Sequence, residues 1–386
     1  MNLINTDEKL IDFCDILRKQ QFITVDSEFL REHSYYPQLC LLQIGYDGGA
    51  AIVDPISNLD LSPFLDILQD ENIVKVFHAG RQDLEIFYNL TGKLPKNVFD
   101  TQIAAMVCGF GENVSYGALV KEICKIELDK SCRLTDWSIR PLDEGQMEYA
   151  LHDVTYLVDC YKALLEQMKK NNRLEWIKEE TEDLCNLKNY KLDPNEAWHK
   201  IKHNVHTSQF LSALKYLSKW RELRAQKFNT PRQSIIKDEV ILNLASSRPE
   251  NQGELKQVRN LKSDIINGKL GAEILEALNE ANINPLAEAE CRADKKNDVQ
   301  ISGRDQSLLE MLKFLLKLQS SENEIVSRLV ATEDDLRYFV RGDFDKTSVM
   351  SGWRYEIFGQ YAEKLRSGKL SISYDIERHS ICMAEK

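Results

Sequence analysis

Residues 22–29, Phe-Ile-Thr-Val-Asp-Ser-Glu-Phe, decide the fold. β-branched and aromatic residues fill the stretch, which reads as a strand, and two carboxylates, Asp26 and Glu28, stand at i and i+2 on one face of it. Burying two like charges side by side is costly unless a cation neutralises them. Taken alone, the pair is weak evidence for a metal site, because acids on a solvated strand end are common.

Outward from this strand the chain alternates. Leu39–Gly45 and Ala51–Asp54 are further β-rich runs, and the Gly48-Gly49 step between them predicts a hairpin. A helical pattern over Leu61–Gln69, a strand over Ile73–His78, a helix over Asp83–Leu90, a short strand at Val98 and a helix over Gln102–Cys108 follow. Three leading strands and then alternating helices and strands predict an α/β domain with a mixed sheet. In such folds the functional residues gather at strand ends. A helix over Glu144–Lys170, with Asp143 as N-cap and Gln146 completing a capping box, closes the domain. The charged stretch after it, to about residue 190, reads as a solvated connecting helix.

With 386 residues, two or three domains are expected, and 43% hydrophobic with 29% charged residues excludes disorder. The net charge of −11 confines any polyanion binding to a local patch. Only one segment has the opposite sign: residues 191–285 carry 15 Lys and Arg against 11 Asp and Glu. Its pattern is helical, with Leu211, Leu214, Leu217 and Leu223 on one stripe. A polar break at Glu290–Asp298 precedes another helical block over Asp305–Leu370. Nine cysteines without CxxC pairs or zinc-ligand spacing read as small buried residues of a reducing compartment, and the lack of a signal peptide or a long apolar run predicts a cytoplasmic chain with no membrane span.

Three further residues stand out. Asp83 follows the strand IVKVFHA, where an acid near a helix N-terminus needs no function. His78, at the end of the same strand, reads as a satisfied core histidine. Tyr149 and Asp153, spaced i and i+4, share one face of the closing helix, and Asp153 interrupts an apolar stripe.

In combination these residues resemble the three motifs of the DEDDy 3′-5′ exonucleases: Asp-x-Glu on an early strand, an aspartate after a middle strand, and Tyr-x-x-x-Asp on a later helix. VDSEFLREHSYYPQLCLLQIG, VFHAGRQDLEIF, VFDTQIAA, SYGALV, LDKS, TDWSIRPL and EYALHDVTYL, in that order, are specifically similar to the ribonuclease D family over most of residues 22–160. DPNEAWHKI and LKYLSKWRELRAQKFNTPRQSIIKDEVILNLA resemble the HRDC module of that family, and SGWRYEIFG a second, divergent one.

The resemblance implies a ribonuclease H-like nuclease domain over 1–172, an HRDC domain over 193–285 and a divergent HRDC-like domain over 300–376. It implies catalytic residues Asp26, Glu28, Asp83, Tyr149 and Asp153, with the four acids holding two divalent ions, Mg²⁺ or Mn²⁺. Asp26 would bridge both ions, Glu28 and Asp153 would hold the one that activates water, Asp83 would support the leaving-group ion, and Tyr149 would position the attacking water. Hard oxygen ligands suit those ions and the two-metal chemistry of phosphodiester hydrolysis. The implied substrate is RNA with a free 3′-hydroxyl, above all 3′-extended tRNA precursors, and the default assembly is a monomer. Ser27 stands where the family uses Thr, outside the metal face.

Binding a polyanion needs cations elsewhere. Lys215, Lys219, Arg221, Arg224 and Lys227, with Tyr216 and Trp220 between them, are one candidate run; Lys130, Arg133 and Arg140 are a second. A DNA exonuclease and a catalytically silent nucleic-acid scaffold are the alternatives, although all five site positions are intact. The absence of a GxxxxGK[ST] stretch argues against a helicase.

Overall fold

The computed structural model describes residues 3–129, 131–133, 135–287 and 301–385. Lys130, Cys291 and the expected break at Glu290–Asp298 lie outside them.

The sheet is mixed, in the order β1-β4-β3-β2-β5-β6. Its strands are β1 (Leu3–Ile4), β2 (Phe22–Leu30), β3 (Gln38–Tyr46), β4 (Gly49–Val53), β5 (Val74–Phe77) and β6 (Val98–Asp100). β2 runs antiparallel to β3 and parallel to β5. The expected hairpin closes between Tyr46 and Gly49, with Gly48 at φ 115°, a conformation that favours glycine.

Alternation along β2 separates two faces. Ile23 and Val25 enter a core with Leu10, Phe13, Phe64, Phe77 and Phe87, beneath helices α1 (Asp7–Leu17), α2 (Ser62–Leu68) and α3 (Arg81–Thr91). Thr24, Asp26 and Glu28 face the other way, toward α4 (Thr101–Val107), α5 (Tyr116–Cys124) and above all α6 (Glu144–Lys170). The α6 boundaries and its Asp143/Gln146 capping box are as the sequence predicts. β1, α1 and α5 add to the elements read from the sequence.

The connecting helix α7 (Leu174–Leu184) is not simply solvated. Trp176 stacks on Trp353, ring centroids 4.6 Å apart, and Arg354 bonds Glu179 at 2.8 Å and also Glu180. Through these contacts α7 joins the C-terminal block, whose long helix Gly303–Glu322 shares one core with α6: Leu309, Leu312 and Leu315 pack with Leu157 and Leu164. The block ends in a hairpin, Leu370–Asp375 with Ser380–Glu385, beyond its helices.

Residues 198–286 form a separate helical core around α8 (Ser208–Phe228). Leu211, Leu214 and Leu217 are buried there, whereas Leu223 is 48% exposed and leaves the expected stripe. This unit meets the nuclease sheet through Tyr35, whose hydroxyl bonds Glu222 and accepts from Arg232 at 3.0 Å. Among the described residues, no helix is long and apolar enough to cross a membrane.

Candidate active site

A cleft of about 480 Å³ opens where β2, α3, the start of α5 and α6 converge, and Asp26, Glu28, Asp83, Tyr149 and Asp153 all line it. Each is placed by local chemistry. Asp26 and Glu28 share the β2 face by strand alternation. Asp153 reaches them because α6 lies close over that face: the Thr24 hydroxyl donates to the Val154 carbonyl at 2.8 Å, and a Cβ on Gly45 would fall 2.9 Å from the same carbonyl oxygen. Gly45 is therefore required by the approach of the helix. Asp83 sits in the first turn of α3, and the turn before it is tied down by Asp100, which accepts from the Ala79 and Gly80 amides at 3.1 and 2.8 Å.

One carboxylate oxygen each from Asp26, Glu28 and Asp153 lies within 4.8 Å of the others. Asp83 is outside that trio and accepts a hydrogen bond from the Ser27 hydroxyl. Ser27 thus belongs to the site rather than standing apart from it, which corrects the expectation from sequence.

The electrostatics of the trio call for a cation. Burial, then the neighbouring Asp153, pushes Asp26 well above the usual carboxylate range. Glu28 is pushed up to about 9 by burial and by Asp26, Asp153 and Asp83 together. Burial raises Asp153 to about 7, against the hydrogen bond from Tyr149. Burial and Asp26 likewise raise Asp83. Asp83, buried, and Asp26, Glu28 and Asp153, partly buried, crowd their charges together and so favour protons that a divalent ion would displace, and an all-oxygen donor set suits a hard ion. Tyr149 is itself raised, by burial and then by Asp153, so its phenol stays protonated and acts as a donor.

His78 and Tyr116 complete the wall. The His78 Nε2–H donates to the Val114 carbonyl at 3.1 Å, while Nδ1 lies 3.0 Å from the Thr101 hydroxyl, so the ring pins the loop that leads into α5. Tyr116 donates to the His152 carbonyl at 2.7 Å. His78 is a wall residue of the cleft as well as a satisfied histidine. Tyr116 lies in the SYGALV motif, but the preceding GFGENVS stretch has no periodicity that would place its ring in the wall of the cleft.

The expected cations divide. Arg133 lines the cleft. Arg140 does not: it forms a two-point ion pair with Asp54 at 2.7 and 2.8 Å and donates to the Cys40 carbonyl. In α8, Arg221 is buried against Asp238 at 2.6 Å, and Arg224 and the Trp220 indole both engage Glu273. These groups hold the helical unit together and are not a free basic face.

Fold and site together define a 3′-5′ exonuclease: residues 1–169 match the 3′-5′ exonuclease family, and residues 210–278 match the HRDC domain. Curated ribonuclease D proteins are similar along nearly the whole chain. That of Bartonella henselae is 41% identical, covering 96% of this chain and 91% of its own; that of Sphingobium indicum is 42% identical, covering 96% of each. The crystal structure of Escherichia coli RNase D, an exoribonuclease involved in structured RNA processing, superimposes with a TM-score of 0.81 at 28% identity, over 95% of this chain and 99% of that one. The chain belongs to the ribonuclease D family, and it is a hydrolytic exoribonuclease.

Proposed function

We propose that this chain removes nucleotides one at a time from free 3′-hydroxyl ends of RNA, releasing 5′-monophosphates, with Asp26, Glu28, Asp83, Tyr149 and Asp153 as its catalytic residues. The reading is carried by the convergence of the Asp26, Glu28 and Asp153 oxygens within 4.8 Å in a cleft that Asp83 and Tyr149 also line.

Asp26, Glu28 and Asp153 would hold divalent cations, two Mg²⁺ or Mn²⁺, with Asp83 supporting one of them. When bound, the ions acidify water, neutralise the phosphate and stabilise the leaving 3′ oxygen. Tyr149, kept protonated, donates a hydrogen bond that orients the attacking water, while Ser27 fixes the Asp83 carboxylate. His78 and Tyr116 hold the wall opposite, so the scissile phosphate meets a preformed cleft.

The substrates are 3′-extended tRNA precursors and other structured RNAs, consistent with the processing of structured RNA by the E. coli relative. The chain works as a cytoplasmic monomer with domains at 1–172, 193–285 and 300–376. The eight described cysteines are all unpaired, which suits a reducing compartment.

The test is a time course with 3′-extended tRNA, single-stranded RNA and single-stranded DNA of matched length, each with a free or phosphorylated 3′ end, in Mg²⁺ or chelator. Metal-dependent stepwise shortening of 3′-hydroxyl RNA, with DNA largely spared, is expected. Equal attack on DNA would make it a repair-type exonuclease, and binding without cleavage would make it a scaffold.

A further inference from the structure

A second cleft, of about 980 Å³, lies between the nuclease sheet, the segment around residues 188–200 and the helical unit of α8. It shares two walls with the active cleft. On α3, Gln82 and Asp83 face the active site while Arg81, Glu85 and Tyr88 face this cleft; at the end of β2, Phe29 lines the first and Arg31 the second. The two spaces are thus separated by about one helix diameter, roughly 10 Å. A single strand with its 3′ end among the acids crosses from one into the other within a few nucleotides.

The lining is basic in a chain of net charge −11. Six cations, Arg31, Arg81, Lys188, Lys191, Lys200 and Arg232, face two acids, Glu85 and Asp193. Glu85 is already taken by Arg31 in a two-point pair at 2.7 and 2.9 Å, and Arg232 is held by Glu222. Arg81, Lys188, Lys191 and Lys200 form no ion pair with any described residue. Partial desolvation, then Arg232, lowers the Lys200 ammonium from the usual lysine range, with Glu222 and Glu85 opposing. Aromatic faces are interleaved: Tyr36 is 38% exposed, and Tyr88 and Tyr190 have ring centroids 6.4 Å apart. Cations tracking a backbone with aromatic rings for bases are what a single-stranded nucleic acid requires.

The geometry points to this cleft as the groove that holds the sugar–phosphate backbone of the substrate RNA upstream of the 3′ end being removed. It rests on the exoribonuclease reading and deepens it: the cations that hold substrate are contributed by the junction between domains, not by the α8 face. Length dependence follows, because a dinucleotide fills the active cleft alone and a longer strand fills both.

The test compares the wild-type full chain with Lys188→Gln/Lys191→Gln/Lys200→Gln. Binding of a dinucleotide, and of an oligoribonucleotide long enough to span both clefts, is measured by fluorescence anisotropy in chelator across a salt series. None of these lysines belongs to the catalytic set, and all three are exposed, so the thermal midpoint is expected to stay unchanged; the Lys→Arg triple, which keeps the charge, restores binding. The expected result is about tenfold or more weaker binding of the long strand, with the slope of log K against log salt reduced by about 0.7 per lost phosphate contact, hence about 2 in all. Dinucleotide binding is unchanged, and in Mg²⁺ the KM for long RNA rises while kcat holds. Unaltered affinity and slope for the long strand would overturn the proposal, as would an equal loss for the dinucleotide. Binding requires no turnover, so a wild type that binds with the predicted slope and does not cleave would refute the nuclease reading and leave the groove standing.

Discussion

Thr24 donates a 2.8 Å hydrogen bond to the main-chain carbonyl of Val154, and this contact seats the helix bearing Tyr149 and Asp153 on the strand bearing Asp26 and Glu28. Val154 directly follows Asp153, so the spacing of the acids depends on this contact. Gly45, beside Thr24 across the β2–β3 ladder, leaves the helix room. Thr24→Val keeps the shape and loses the donor; about 1 kcal/mol of stability and about tenfold in kcat are expected to go. Gly45→Ala, which pushes against backbone, is expected to cost more of both. Thermal melts and steady-state kinetics check the pair, and Thr24→Val with wild-type kcat would show that the contact does not position Asp153.

Stability of the metal-free protein should fall as pH rises. Glu28 and Asp153 have folded-state values of about 9 and about 7, above those of the unfolded chain, so the folded state binds more protons between roughly pH 4.5 and 9. The stability linked to these protons is fully present below about pH 4.5 and is lost as pH climbs through 7 and 9. Mg²⁺ should erase the slope, adding about 2.7 kcal/mol at a hundredfold excess over its Kd. Differential scanning calorimetry in chelator and in Mg²⁺ across this range measures both; a melting temperature indifferent to metal at pH 8 would contradict the account.

Tyr149→Phe removes a hydrogen-bond donor and not a titrating base, because burial and Asp153 hold the phenol protonated. The rate should drop by about 10²-fold or more with the shape of the pH–rate profile unchanged. Loss of an alkaline limb in the variant would mean instead that the phenolate acts in the reaction.

The Ser27 hydroxyl bonds the Asp83 carboxylate, which lies outside the Asp26–Glu28–Asp153 trio. Ser27→Ala should raise the Mg²⁺ concentration needed for half-maximal rate, with little change in melting temperature, and Ser27→Thr should behave as wild type. A Mg²⁺ titration of initial rates decides it.

Much of the nuclease domain was legible because its signals are local. FITVDSEF has the two-residue period of a strand, the glycines at 48 and 49 mark a tight turn whose two central residues are Asp47 and Gly48, and Asp143 with Gln146 make the reciprocal bonds of a capping box. The site itself emerged as five residues from three motifs, and the structure brings all five to one cleft. What stayed hidden depends on partners distant in sequence. From sequence Arg140 and Arg224 read as available for RNA; Asp54, 86 residues from Arg140, and Glu273 hold them instead. The α7 stretch looked solvated because its apolar contacts, Trp176 on Trp353 among them, come from the far end of the chain. Ser27 reads as lying outside the metal face, because nothing in the strand foresees Asp83 arriving from α3.

The most direct test of the central claim is single-turnover release of the 3′-terminal nucleotide from end-labelled RNA as Mg²⁺ is titrated, in wild type and in Asp26→Asn. The account predicts no release in chelator, release that rises with Mg²⁺ to saturation in wild type, and a rate lower by about 10³-fold or more in a variant that remains folded and melts higher than wild type without metal. Release in chelator, or a wild-type rate in Asp26→Asn, would contradict it.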